Sequence, residues 1–253
     1  RNGNRILHET LADQQGRKIQ RVYDFEEDND KRLWIATQGS GLYYHDLRKK
    51  QTYYASSANV GLNQWICCLH YSKSSNMLYI GTYGGLYALD LETQQSKDVL
   101  SRRIILNIYE DANGQIWTGG SDGLTVWNPQ TQESITYTIE DGLPSNTVYA
   151  IQGDENGYLW ISTNNGLSQF NPSEKNCNNF YVGDGLQGNE FTKNSSLKDA
   201  DGTLWFGGIN GITYFNPKDI SVSSKPWDIR ITDFYLHDGP VRKGSLSGGK
   251  PII

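Results

Sequence analysis

Three stretches of this chain are near-copies of one another. Residues 110–129 read EDANGQIWTGGSDGLTVWNP, residues 153–172 read GDENGYLWISTNNGLSQFNP, and residues 198–217 read KDADGTLWFGGINGITYFNP. Anchored on the aromatic residue that follows the first turn, the repeat extends to five copies, at Trp34, Tyr79, Trp117, Trp160 and Trp205, spaced 45, 38, 43 and 45 residues apart. Self-similarity at this period restricts the fold to an array of supersecondary units, because no single unit can bury its apolar face alone.

The local pattern identifies the unit. Asp111, Asp154 and Asp199 each stand three residues before a glycine, Gly114, Gly157 and Gly202. Glycine accepts the positive φ that a tight hairpin requires. A second turn follows at Gly41, Gly85, Gly123, Gly166 or Gly211, and between the two lie short β-branched and aromatic runs such as residues 159–163. With a more variable fourth strand, as in residues 133–139, each copy reads as a four-stranded propeller blade. No window sustains a helical apolar period. The expected fold is all-β: a β-propeller fragment of about five four-stranded blades over residues 19–218. Residues 1–18 are expected to end a preceding blade or form a closing strand. The repeated tryptophans are expected to act as wedges between blades. Trp127 belongs to the same framework, since Phe170 and Phe215 hold its place later on.

Charge and composition exclude several functions. The net charge of -5 and pI near 5.4 leave no basic face for nucleic acid, and the basic runs at residues 48–50 and 102–103 are short. No apolar run reaches the length of a membrane span, and no signal peptide is visible. The chain begins at Arg1, so it reads as a piece of a longer protein. Cys67, Cys68 and Cys177 and the four histidines have no metal-ligand spacing, so no metal or cofactor is expected. The Asp-x-x-Gly turns lack the further acidic ligands of a calcium loop and are read as turn chemistry. No nucleophile elbow, zinc-binding helix or P-loop is present, and the chain is not expected to be an enzyme.

The repeat, the linkers EDGLPSNTV and GDGLQGNEF, and the closing FGGINGITYFNPKDI followed by DIRITDFYLHDGPV resemble the two-component regulator propeller. In that family the repeats form the periplasmic sensor of hybrid two-component systems controlling polysaccharide use in Gram-negative bacteria. The resemblance implies an oligosaccharide ligand and a membrane-anchored, homodimeric parent with a cytoplasmic histidine kinase. It also implies that residues 219–253 are a linker and the truncated start of an Ig-like domain of the Y_Y_Y type. A seven-bladed ring would leave part of the propeller outside these five repeats. The WD40 signatures are absent.

Strand alternation locates the binding surface. In an up-and-down blade, the loop entering the first strand and the loop joining the second to the third lie on one face of the disc. On that loop face the candidate ligand-binding residues are Asn63, Trp65, Tyr83, Arg102, Arg103, Asn146, Asn164, Asn189 and Glu190. Amides, a carboxylate and arginines pair with sugar hydroxyls, and aromatic rings stack on apolar C–H faces. Trp65 stands out because it interrupts the repeat; its alternative role is packing against the neighbouring blade. For Arg102 and Arg103 the alternative to an acidic sugar is a solvated loop or an ion pair. A protein-docking scaffold remains as an alternative function, and a propeller hydrolase or lyase would require paired carboxylates in the central channel.

Overall fold

The computed structural model describes residues 11–55 and 65–220, together with two short strand pairs beyond them. The first blade is β1 (Val22–Glu27), β2 (Arg32–Thr37), β3 (Leu42–Asp46) and β4 (Gln51–Ala55). The second is β5 (Ile66–Ser72), β6 (Met77–Thr82), β7 (Gly85–Asp90) and β8 (Ser96–Ser101). The third is β9 (Ile105–Glu110), β10 (Ile116–Gly120), β11 (Leu124–Trp127) and β12 (Ser134–Tyr137), and the fourth β13 (Val148–Gly153), β14 (Leu159–Thr163), β15 (Gly166–Asn171) and β16 (Asn176–Phe180). Each is an antiparallel sheet in chain order, and the first strands of successive blades pack on one another, so they form the inner layer of the propeller.

The fifth blade, β17 (Phe191–Lys198), β18 (Leu204–Gly208) and β19 (Gly211–Phe215), has three strands among the described residues rather than four. Its third strand ends differently from the others for a local reason. In blades one to four the return turn starts at Asp46, Asp90, Asn128 or Asn171. It places the residue four further on at positive φ: Lys50 at 54°, Gln94 at 59°, Gln132 at 61° and Lys175 at 56°. In the fifth blade that position is Ile220, a β-branched residue for which positive φ is strained; it sits at φ -86°, after a single 3-10 turn over Pro217–Asp219.

Packing between blades is the core. Trp34 is buried with Ile66, Leu69, Leu78 and Ile80 of the second blade; Tyr79 with Ile105, Ile108 and Ile116 of the third; Trp117 with Val148, Ile151 and Phe170 of the fourth; and Trp160 with Phe191, Leu204 and Phe206 of the fifth. The wedge reading therefore describes the first four anchors. Trp127, Phe170 and Phe215 occupy one register position, opposite Ile116, Leu159 and Leu204. Cys67 and Cys68 are free and buried, and burial pushes the Cys67 thiol up to about 11.

The turn aspartates do more than turn. Asp111 Oδ1 accepts from the Asn113 and Gln115 N–H groups at 2.9 and 3.0 Å, while Oδ2 accepts from Trp117 Nε1 at 2.9 Å. Asp154 does the same for Trp160, at 3.0 Å, and Asp28 for Trp34, at 2.8 Å. One carboxylate thus fixes the hairpin and satisfies the indole N–H of the wedge, which would otherwise be orphaned in the core. The fifth blade breaks the rule: Trp205 Nε1 is buried without a partner, and Asp199 bonds the Ala200 N–H instead.

Ahead of β1, Asp13 bridges to Thr52 of β4, and the Arg17 guanidinium, paired with Asp13 at 2.6 Å, lies over the Tyr54 ring. Residues 221–253 form a separate unit, in which Tyr235–Leu236 pairs with Gly239–Pro240 and Leu246–Ser247 with Lys250–Pro251. Most of the expected first Ig-like strand, and residues 1–10, lie outside the described residues.

Candidate functional site

On the loop face the structure brings together Trp65, Tyr83 and Arg102. Trp65 forms a bridge with Gln38 just before β5, and its carbonyl accepts the Tyr83 N–H at 3.2 Å. The two rings meet edge to face, 5.8 Å between centroids at 81°, and remain 46% and 39% exposed. The Arg102 N–H donates to the carbonyl of Gly84, one residue past Tyr83, at 2.8 Å, and the side chain is exposed. The Tyr23 hydroxyl donates to Gln38 Oε1 at 3.0 Å, adding a third exposed ring beside the bridge.

Other predicted residues are tied into the scaffold. Arg103 Nη1 donates to the hydroxyls of Thr125 and Thr136 at 2.9 and 2.7 Å, joining the loop to the third blade. Asn146 Oδ1 accepts the Ile139 N–H and Asn189 Oδ1 the Val182 N–H, both at 2.9 Å and both across seven residues. Each bond closes a loop containing a 3-10 turn that ends at a glycine with positive φ, Gly142 at 98° and Gly185 at 102°. The similar linkers are therefore one structural device, and among the described residues the amide Nδ2 groups of Asn146 and Asn189 are left over. Asn164 is exposed beside Asn165, whose Nδ2 donates to the Pro144 carbonyl at 3.3 Å. The Glu190 side chain is exposed, and its carbonyl accepts from Gln187 Nε2 at 3.2 Å and the Ile209 N–H at 3.3 Å. Asn63 lies outside the described residues.

The inner strands carry polar side chains that satisfy the backbone of an adjacent blade. Asp24 accepts the Leu69 N–H at 2.9 Å, Glu26 the Tyr71 N–H at 3.2 Å and Asn107 the Ile151 N–H at 2.9 Å; Lys198 Nζ donates to the Gly153 carbonyl at 2.9 Å. An inner strand leaves one edge without a ladder partner, and these contacts fill it. Burial pushes the Asp24 carboxyl above its ordinary range, against the pull of the Leu69 and Phe25 N–H groups. A raised carboxyl contributes stability that is fully present below its unfolded pKa and is lost as pH rises through its folded pKa. Relative to Asp24→Asn, the wild-type protein is expected to gain stability as pH falls through the carboxylate range. Urea midpoints of both proteins between pH 3 and 7 check this, and a constant difference contradicts it.

Among the described residues one histidine lies against a carboxylate. His70 Nε2 lies 3.0 Å from Glu110 Oε2, and the Ser72 and Ser74 hydroxyls donate to Glu110 Oε1 at 2.9 and 3.3 Å. The serine hydroxyls bond the carboxylate and not the imidazole, so the serine–histidine–carboxylate order of a triad is not formed here.

Fold and surface together define a β-propeller with an aromatic, polar loop face. The family described as "Two component regulator propeller" matches residues 16–39 and 142–165, each an entering loop plus the first hairpin of its blade. The extracellular domain assigned to the hybrid two-component system BT3049 of B. thetaiotaomicron superposes with a TM-score of 0.73 at 26% identity, over 83% of this chain and 29% of that one. The corresponding domain of BT4673, from the same organism, gives 0.64 at 22% identity over 79% and 30%. Virginiamycin B lyase from Staphylococcus aureus shares the fold at a TM-score of 0.60 and 16% identity, over 77% and 69%. No curated protein matches. The chain spans under a third of the length of the two-component-system structures, and it resembles their extracellular propellers. No helix among the described residues is long and apolar enough to cross a membrane.

Proposed function

We propose that this chain is a ligand-sensing propeller from the periplasmic region of a hybrid two-component histidine kinase, and that its ligand is an oligosaccharide bound on the loop face around Trp65, Tyr83 and Arg102. The observation that carries the reading is the exposed Trp65–Tyr83 pair, in a fold that buries Trp34, Trp117 and Trp160 between blades. Ring faces beside amides and a guanidinium suit the alternating C–H and hydroxyl surfaces of a sugar. The likeness to the BT3049 domain supports the sensory setting. In that setting the parent is membrane-anchored and dimeric, and the ligand acts by binding two states of the dimer unequally.

A thermal-shift screen against plant, animal and microbial oligosaccharides tests this, using the chain beside a form extended at both ends. At a hundredfold excess over Kd a ligand stabilises by about 2.7 kcal/mol, which for a chain of this size is a shift of about 5 °C or more. Trp65→Ala is expected to abolish the shift while leaving the unliganded midpoint within about 2 °C, the effect of a surface change. A shift that persists in Trp65→Ala moves the ligand elsewhere, and silence from both forms removes the oligosaccharide reading.

A further inference from the structure

We propose a second ligand site on the opposite, hairpin face, in the cleft between the third and fourth blades, which takes an uncharged sugar. The proposal goes beyond the loop-face reading and does not depend on Trp65.

The cleft holds about 370 Å³, within the size range of small-molecule sites. Its walls are the tight turns after β9 and β13, and it is lined by Tyr109, Asn113, Gln115, Asn156 and Tyr158 over a floor at Gly153. Gly153 creates the space. It pairs with Leu159 at the register position that holds Glu27 opposite Leu33, Glu110 opposite Ile116 and Lys198 opposite Leu204 in three other blades. A Cβ at Gly153 would overlap the Tyr109 hydroxyl, so glycine alone lets that phenol sit in the floor.

Apart from Asp111 and Asp154, the polar side chains of the lining are neutral. The Asn113, Gln115, Asn156 and Tyr158 backbone N–H groups are taken by Asp111 and Asp154, but among the described residues their side chains, and the Tyr109 hydroxyl, make no hydrogen bond. Two phenols and three amides therefore present donors and acceptors to whatever fills the cleft. The two aspartates beneath have each accepted three N–H groups, including an indole, which leaves their negative charge but little acceptor capacity. That charge disfavours a uronate or sulfate. Burial, with Asp111 and Asp154 alongside, raises the Tyr109 phenol further and keeps it a donor. A polyhydroxylated, uncharged ligand matches this surface, with the tyrosine rings available to its C–H faces.

The test is an amide-resolved NMR titration of the protein with maltose, cellobiose and mannobiose, and with digalacturonate as the anionic counterpart. At least one neutral disaccharide is expected to shift the backbone signals of Asn113, Gln115, Asn156 and Tyr158. Binding should weaken about tenfold in Tyr109→Phe, equivalent to about 1.4 kcal/mol, and by a similar factor in Gln115→Ala. Digalacturonate should leave these signals in place. Tyr109→Phe removes one oxygen atom without changing the ring, so folding is retained; Gly153→Ala, which fills the floor, is the stronger block where it folds. The proposal is overturned if no neutral disaccharide moves these signals at millimolar concentration, if digalacturonate moves them equally, or if Tyr109→Phe and Gln115→Ala both bind as wild type. Loss of binding in Trp65→Ala with the cleft signals silent would overturn this site and leave the loop-face sensor standing.

Discussion

Trp160→Ala is expected to destabilise the protein by about 3–5 kcal/mol, the range for emptying a large aromatic site in a core, whereas Trp205→Ala should cost less than half as much. The two residues occupy the same place in successive repeats, so the sequence gives no reason to separate them. Trp160 is 1% exposed, stacks on Phe180 at 5.6 Å and packs against Phe215 of the next blade at 4.5 Å, and its indole N–H is held by Asp154. Removing it empties the contact between the fourth and fifth blades and leaves the half-buried Asp154 carboxylate short of one donor. Trp205 has no following blade among the described residues; it stacks on Tyr214, itself 64% exposed, and its N–H is already unpaired. Urea unfolding of both variants, compared at fixed m-value, measures the difference. Equal losses would mean that position in the repeat, and not a following blade, sets the worth of the tryptophan.

The same contrast shows what the sequence made legible. The period, the glycine turns and the blade count follow from local spacing, because each is a property of a few neighbouring residues. The wedge role of Trp34, Trp117 and Trp160 was readable from recurrence alone. Their bonds to Asp28, Asp111 and Asp154 had a signal, a constant spacing of six residues, but turn chemistry already accounted for the aspartates. That the last blade has three strands among the described residues goes with one residue, Ile220, at a position where the other repeats place Lys or Gln at positive φ. Site residues were least legible. Asn146 and Asn189 read as rim amides, yet each spends its oxygen on a loop backbone N–H seven residues back. The Tyr109 cleft depends on Gly153, 44 residues away in sequence and visible only once two blades are packed.

Asp28→Ala is expected to be the costliest change among the turn aspartates, at about 3–5 kcal/mol, the loss seen when one partner of a buried ion pair is removed. Asp28 is 4% exposed and accepts from Asp30 N at 2.9 Å, Arg32 N at 3.0 Å, Arg32 Nε at 2.6 Å and Trp34 Nε1 at 2.8 Å. Alanine would leave the indole unsatisfied and leave the Arg32 guanidinium, 5.5 Å from the Trp34 ring centroid and 5.9 Å from that of Tyr44, with only the exposed Asp30 carboxylate at 3.3 Å as counter-charge. Asp154 holds the same turn and indole without an arginine, so Asp154→Ala should cost about 1–3 kcal/mol, the penalty for orphaned buried donors. Asp199, with no indole to hold, should cost least. The contribution of this weakly compensated charge can be isolated by pairing Asp28→Ala with Arg32→Met, which keeps apolar bulk over the two rings while removing the cation. If that charge is the main penalty, the double variant is expected to be more stable than Asp28→Ala alone. If the double variant is instead as unstable as the sum of both single changes, the turn and indole bonds account for the loss, and Asp28 differs from Asp154 only in burial.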